Sequence, residues 1–455
     1  MGIPTMVITR EGFSANVSNG FAGIGFSAES PTIYEFPLEM FIDGSDLTPL
    51  TENIDKIVYG LTKWEPEVGE KGLYPAGSVT VEGKDYEEAL TNMNLLFLKN
   101  MWSDALPLLP PTEERVNWIL TGTDLSPDAL VTGAGKVGPR GGMDTVESLA
   151  VCLAMAGGRP EYLPLLTAIM EAITWDDELH WNSTTNSRFP VVVVNGPVAK
   201  QIRLSSGYGC MGPDPVHPCN GPVGRALRLL LQNLGGAVPA SGTMVIFGGC
   251  RHTNIIFAED EDGSPWEPLS VELGFPEGSN VVTVYLPNGI ANMQGIVSTT
   301  LGGLGQNAAL MAGPTRDRQY KDPEGIPGIV LYSSGFAQDI ASGLGYSKLD
   351  TKTHLWEKSR TPWELIEIAS GAKGVLAALE SLDEAPWLVE GQSWPITKDP
   401  KNIQLVVAGG DQGGHSYWIQ DPSPGPDSAE IKLPAKEKWD ALLAQAEEDL
   451  GPIAE

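Results

Sequence analysis

The chain has 455 residues, which calls for more than one hydrophobic core, because single cores stop growing near roughly 250 to 300 residues. Its formal charge of −29, from 29 basic against 58 acidic side chains, repels phosphate backbones and anionic lipid surfaces and argues against nucleic acid as a partner. Hydrophobic residues make up 42% and charged residues 19%, a soluble globular composition in which 53 Gly and 36 Pro predict many turns between short elements.

The start, MGIPTMVITREGF, lacks the basic and apolar regions of a secretory signal. No window reaches the roughly 18 uncharged apolar residues of a membrane span. The expected location is therefore the cytoplasm, without membrane attachment.

Pro4 to Thr9 is short and β-branched and predicts a strand, followed by a small-residue helix from Gly12 to Ala22. This is the opening of a Rossmann-like unit, and the next hundred residues show no obvious parallel strand to complete it. Helices are predicted over Asn53 to Trp64 and Tyr86 to Trp102. Thr112 caps another to Leu120, Asp144 or Thr145 caps one to Ala156, and Pro160 opens one to Ile173. Strands are predicted at Val191 to Val194, Met244 to Phe247, Asn254 to Ala258 and Asn280 to Tyr285, with a helix capped by Asn220 between the first two. A second alternation follows: strand Gly328 to Tyr332, a helix near Phe336 to Ser342, a capping-box helix start at Thr361, strand Ile403 to Ala408, and an acidic helix from Lys436 to Leu450.

The predicted fold is α/β, with mixed sheets, an inserted helical layer and two to three lobes. Its divisions are a docking N-terminal strand–helix fragment with helices (1–103), a helical layer (104–188), an α/β core (189–320), and a second α/β lobe with the final helix (321–455).

Five of the nine cysteines and histidines fall within 43 residues: Cys210, His217, Cys219, Cys250 and His252. Four of them suit a tetrahedral Zn or Fe site, and three would leave a position open for water or substrate. The same residues also fit small buried side chains with loop-capping histidines, or a nucleophilic thiol. Cys219 precedes the predicted cap Asn220, where a helix dipole would favour the thiolate. Arg225 and Arg228 lie three apart on the helix after it and suit a substrate carboxylate, or structural ion pairs. The run Glu259, Asp260, Glu261, Asp262 at a strand end offers a general base in Glu259, or a solvated turn. Strand-end turns at Asn195 and Gly196, and at Gly409 and Gly410 in GGDQGGHS, are where α/β sheets place ligand loops, and His415 there is a candidate acid or base. The P-loop lysine and GxGxxG spacing are missing, so no nucleotide is indicated.

VVVVNGPVAKQIRLSSGYG (191–209), GPVGRALRLLLQNLGG (221–236), FAEDEDGSPWEPLSVELGF (257–275) and VVAGGDQGGHS (406–416) together resemble the large proteins associated with the UGSC-motif selenoproteins and their cysteine counterparts. In the UGSC-type domain a selenocysteine or cysteine motif precedes a helix and a strand like GIPT. This chain carries that strand, Gly2 to Thr9, without the motif. The resemblance implies a separate small subunit with a CGSC-like or UGSC-like motif, hence a hetero-oligomer. DPVHPCN (214–220) departs from the family pattern.

The expected function is a cytoplasmic enzyme subunit that reduces or eliminates at a carbon–heteroatom bond of a small anionic organic molecule, using a partner thiol or selenol or a Cys/His-bound metal. The alternatives are a single-chain metal-dependent hydrolase or hydratase, and a non-catalytic large subunit that orders a small redox subunit.

Overall fold

The computed structural model describes residues 4–23, 25–27, 29–30, 32–41, 44–65, 67, 78–131, 136–173, 182–185, 188–248, 254–293, 299–312, 328–367, 389–421 and 426–453. The chain is α/β with mixed sheets, as its alternating pattern predicts.

Strands β1 (Val7–Arg10) and β2 (Ile33–Phe36) flank the helix Ser14–Gly23 and pair in parallel, Val7 opposite Ile33. The expected orphan strand therefore has a partner in its own chain, which removes the strand shortage as an argument for a second polypeptide. β2 escaped notice because IYEF is short and only Phe36 is buried. The unit is one βαβ pair, and the further strands of a Rossmann sheet are not found among the described residues.

Two four-stranded sheets form the centre. In the first, β3 (Val191–Asn195), β4 (Ile255–Ala258) and β5 (Val281–Tyr285) come from one stretch of chain. In the second, β7 (Gly328–Tyr332) pairs with later strands, once β6 (Gly289–Asn292) and the small pair β8 (Arg360–Thr361) and β9 (Trp394–Pro395) are set aside. Those later strands are β10 (Ile403–Val407) and β11 (Ser416–Gln420), with β12 (Asp427–Glu430) last in the chain. β3 pairs β4 in parallel and β5 antiparallel, and β7 pairs β10 in parallel and β11 antiparallel. The fourth strands are exchanged: β6 follows β5 in the chain but pairs with β11, and β12 follows β11 but pairs with β5.

The two halves thus repeat one topology and interlock. Matching β3 to β7 aligns VVVVNGPVAKQI (191–202) with IVLYSSGFAQDI (329–340), with Ala199 over Ala337 and Ile202 over Ile340, all four buried. This similarity is too short to register as a sequence repeat without the strand order. The exchange carries helices with it. Thr300–Ala312 packs on Ser334–Leu344 and Lys348–Lys358, whereas Lys436–Leu450 returns to the first half through Trp439.

Alternation along the strands builds the layers. Val192 and Val194 enter a core with the helices Glu113–Leu120, Val146–Met155, Leu163–Ala172 and Asn220–Asn233, while Val191 and Val193 face the other sheet. On β7, Val330 and Tyr332 face the second helical layer and Ile329 and Leu331 face inward. The order is helices, sheet, sheet, helices, and strands covered on both faces read as continuous apolar runs. Met244–Phe247, also apolar, forms no strand: Met244 and Ile246 donate backbone bonds to Ser183 and Thr185, and Phe247 is 92% exposed.

Candidate functional site at the joined strand ends

β3 and β4 end side by side at Asn195 and Glu259. Asn195 is fully buried, and its Nδ2 donates to Glu259 Oε2 at 2.7 Å and to Glu261 Oε1 at 2.9 Å. One amide therefore holds two carboxylates. Its Oδ1 is buried without a hydrogen-bond partner. Glu261 Oε1 also accepts from Gly196 N at 2.7 Å, and Glu259 Oε2 from Leu269 N at 2.7 Å. Gly196 is required here: its φ is +92°, and a Cβ would lie 2.4 Å from Ser279 O.

Burial raises the Glu259 carboxyl above its ordinary range and the Glu261 charge adds to this, while the Lys348 charge, Asn195 and the Leu269 N–H oppose it. Lys348 belongs to the second half, where its Nζ donates to Glu267 O at 2.9 Å and pairs with Glu272 at 2.9 Å. Lys352, one turn on, pairs with the same carboxylate.

The second half meets the first at this point. Ser334 Oγ donates to Asp260 Oδ2 at 2.5 Å, Asp260 N to Val407 O at 2.8 Å, and Gly409 N to Ser206 O at 2.7 Å. The loop after β10 approaches closely because Gly410, at φ +87°, has no side chain: a Cβ there would stand 2.9 Å from the Tyr208 ring. The Tyr208 hydroxyl donates to Asp411 and holds its carboxyl below the usual range. The carboxylate run is thus no free solvated turn. Glu259 and Glu261 tie β3 to β4, Asp260 ties the two halves, and Asp262 pairs with exposed Lys200.

Of the sequence-nominated residues, Asn195, Gly196 and Glu259 are brought together, and Gly409 and Gly410 join them through the loop contacts above. His415 is exposed on that loop, its carbonyl accepting from Ser333 N. Cys210, His217 and Cys219 do not converge. Cys210 lies between the sheets, Cys219 lies on the opposite face of the first sheet among the helices, and His217 pairs with Asp214 in the loop between them. Cys250 and His252 lie outside the described residues. Among the described residues no group of three or more His, Cys, Asp or Glu side chains is placed to hold a metal ion.

Three further expectations are corrected. Cys219 does stand at the helix start, but burial pushes its thiol well up rather than down, and Cys210 is pushed up to about 12. Asn220 does not cap the helix. Its side chain is buried and bonds Ser205 N, Cys210 O and Ile256 O. Arg225 and Arg228 do not face a substrate: Arg225 holds Asp104 through Nε and Nη2 at 2.8 and 2.9 Å, and Arg228 donates to Ala237 O at 3.3 Å. Sequence reasoning passed over Ser334, Tyr208 and Asp411. The serine pair directly after an apolar strand was the one available signal for Ser334.

The fold and site define an α/β protein with an interlocked duplication and a carboxylate cluster at the joint. No protein-family model matches the chain, and neither does any curated protein or solved structure.

Proposed function

We propose that the chain is an enzyme, or the larger subunit of one, that works by acid–base chemistry at the joined strand ends, making or breaking a carbon–heteroatom bond of a small organic molecule. The observation that carries this reading is the Asn195 amide, which donates to two carboxylates of unlike surroundings while its own oxygen is unpartnered. Paired carboxyl groups whose environments push them apart divide acid and base roles. Burial disposes Glu259 toward its protonated form, which suits it to the acid role, and partly exposed Glu261 is the base that meets substrate. Asn195 is a positioning residue. Addition or elimination of water or ammonia is the class this supports. The arginines nominated for an anionic substrate are engaged elsewhere, so the site itself does not call for an anion.

The test is a panel of small hydroxy and amino acids and their amides, incubated with the protein in D2O and followed by proton NMR. Solvent deuterium should enter at carbon in one of them, and Glu259→Gln and Glu261→Gln should each slow this about 100-fold or more while remaining folded, as shown by a cooperative melt. No exchange with any compound, or full activity in both variants, overturns the proposal.

A further inference from the structure

The N-terminal unit carries a cavity of about 340 Å³, apart from the site above. It opens where β1 ends and the helix Ser14–Gly23 begins. Thr9, Arg10, Phe13 and Asn16 form one wall, and Thr184 and Thr185 face them. Asn16 Nδ2 donates to Ser183 O at 3.1 Å, which fixes the two walls relative to each other. The Arg10 guanidinium carbon sits 4.4 Å from the centre of the Phe13 ring, and among the described residues its side chain makes no hydrogen bond or ion pair.

The start of the helix is already occupied, because Glu35 Oε1 accepts from Ser14 N at 3.2 Å. The guanidinium, not the helix terminus, is therefore the group available to an anion. A guanidinium resting on an aromatic face keeps its edge free for a planar, two-oxygen acceptor. The cavity is at the lower end of the roughly 300 to 1,000 Å³ typical of small-molecule sites.

We infer that this cavity binds a small organic carboxylate, with Arg10 taking the carboxylate in its fork and Thr9 and Asn16 the ligand's other polar groups. The reading is independent of the acid–base site, since none of its residues is shared.

The probe is succinate, titrated calorimetrically into the full-length protein at low salt, with neutral succinamide and inorganic phosphate as comparisons. Succinate should bind saturably and succinamide should give no heat. Arg10→Gln should weaken succinate at least about tenfold, and Arg10→Lys, which keeps the charge but not the fork, should weaken it less. Arg10 is partly exposed, so both variants should melt as the parent does. If Arg10→Gln is misfolded, the lysine variant and the succinamide comparison decide the matter. Absence of saturable succinate binding overturns the inference. So does equal binding by a folded Arg10→Gln protein, or binding of succinamide or phosphate as tight as that of succinate.

Discussion

Cys219 stands at a helix start that, in the abstract, favours negative charge, and Glu259 accepts from Asn195 and Leu269, yet in both the loss of water raises the pKa. Sequence shows that a cysteine precedes a helix, but not that its side chain is turned into the core. The same limit explains the Cys/His cluster. Within ten residues the chain passes from the space between the sheets at Cys210 to the helical face at Cys219, so nearness in sequence becomes separation across a sheet. Asn195, Gly196 and Glu259 were legible because strand ends next to one another in a parallel pair necessarily meet.

Glu259 has a pH consequence. A carboxyl whose folded pKa lies above its unfolded value stabilises the fold at low pH, and that contribution is lost as pH rises through the folded pKa. The parent protein should therefore lose stability relative to Glu259→Gln as pH climbs above the ordinary value of 4.5, and the two should converge in acid. Parallel melting-temperature curves across this range would contradict the assignment.

Among elements, those with apolar runs were readable: β3, β5, β7 and β10 lie where Val, Ile and Leu cluster. β12, Asp427–Glu430, reads DSAE, and only its ladder to β5 makes it a strand. Met244–Phe247 fails in the opposite way, being apolar but without a partner strand among the described residues. Composition proposes strands, and pairing decides them.

The helix Asn220–Asn233 illustrates how polar contacts secure an element. Asp104 is nearly buried, and although burial acts to raise its pKa, the hydrogen bond and charge of Arg225 win and hold it low. Arg225 also donates to the carbonyls of Leu106 and Pro107, fastening the Pro-rich joint to the helix. Asp104→Ala leaves that guanidinium without its carboxylate and should cost about 3 kcal/mol, the lower end for breaking a buried pair, because Arg225 keeps some solvent access. Urea denaturation checks this, and a loss under about 1 kcal/mol would place the pair among surface bridges.

At the scale of the whole molecule, the exchange of β6 and β12 organises both fold and site. Each half lacks its fourth strand until the other supplies it, and each helical layer is completed by a helix from across the joint. The expected division at 320 lies outside the described residues, but the strands on either side of it cross over, so each α/β lobe contains a strand from the other. The same crossing sets Asp260 against Ser334 and the glycine loop against Ser206 and Tyr208. Strand alternation in two stretches was visible in sequence. The exchange was not, because nothing in β5 or β11 states which neighbour its following strand will join. No described helix is long and apolar enough to cross a membrane.

The central claim is that two interlocked halves build one site together, and the most direct measurement is the thermal melt of the chain divided into 1–320 and 321–455. Each half alone should show no cooperative transition, while the two produced together should form a one-to-one complex that melts cooperatively. A cooperative melt for either half by itself would contradict the account.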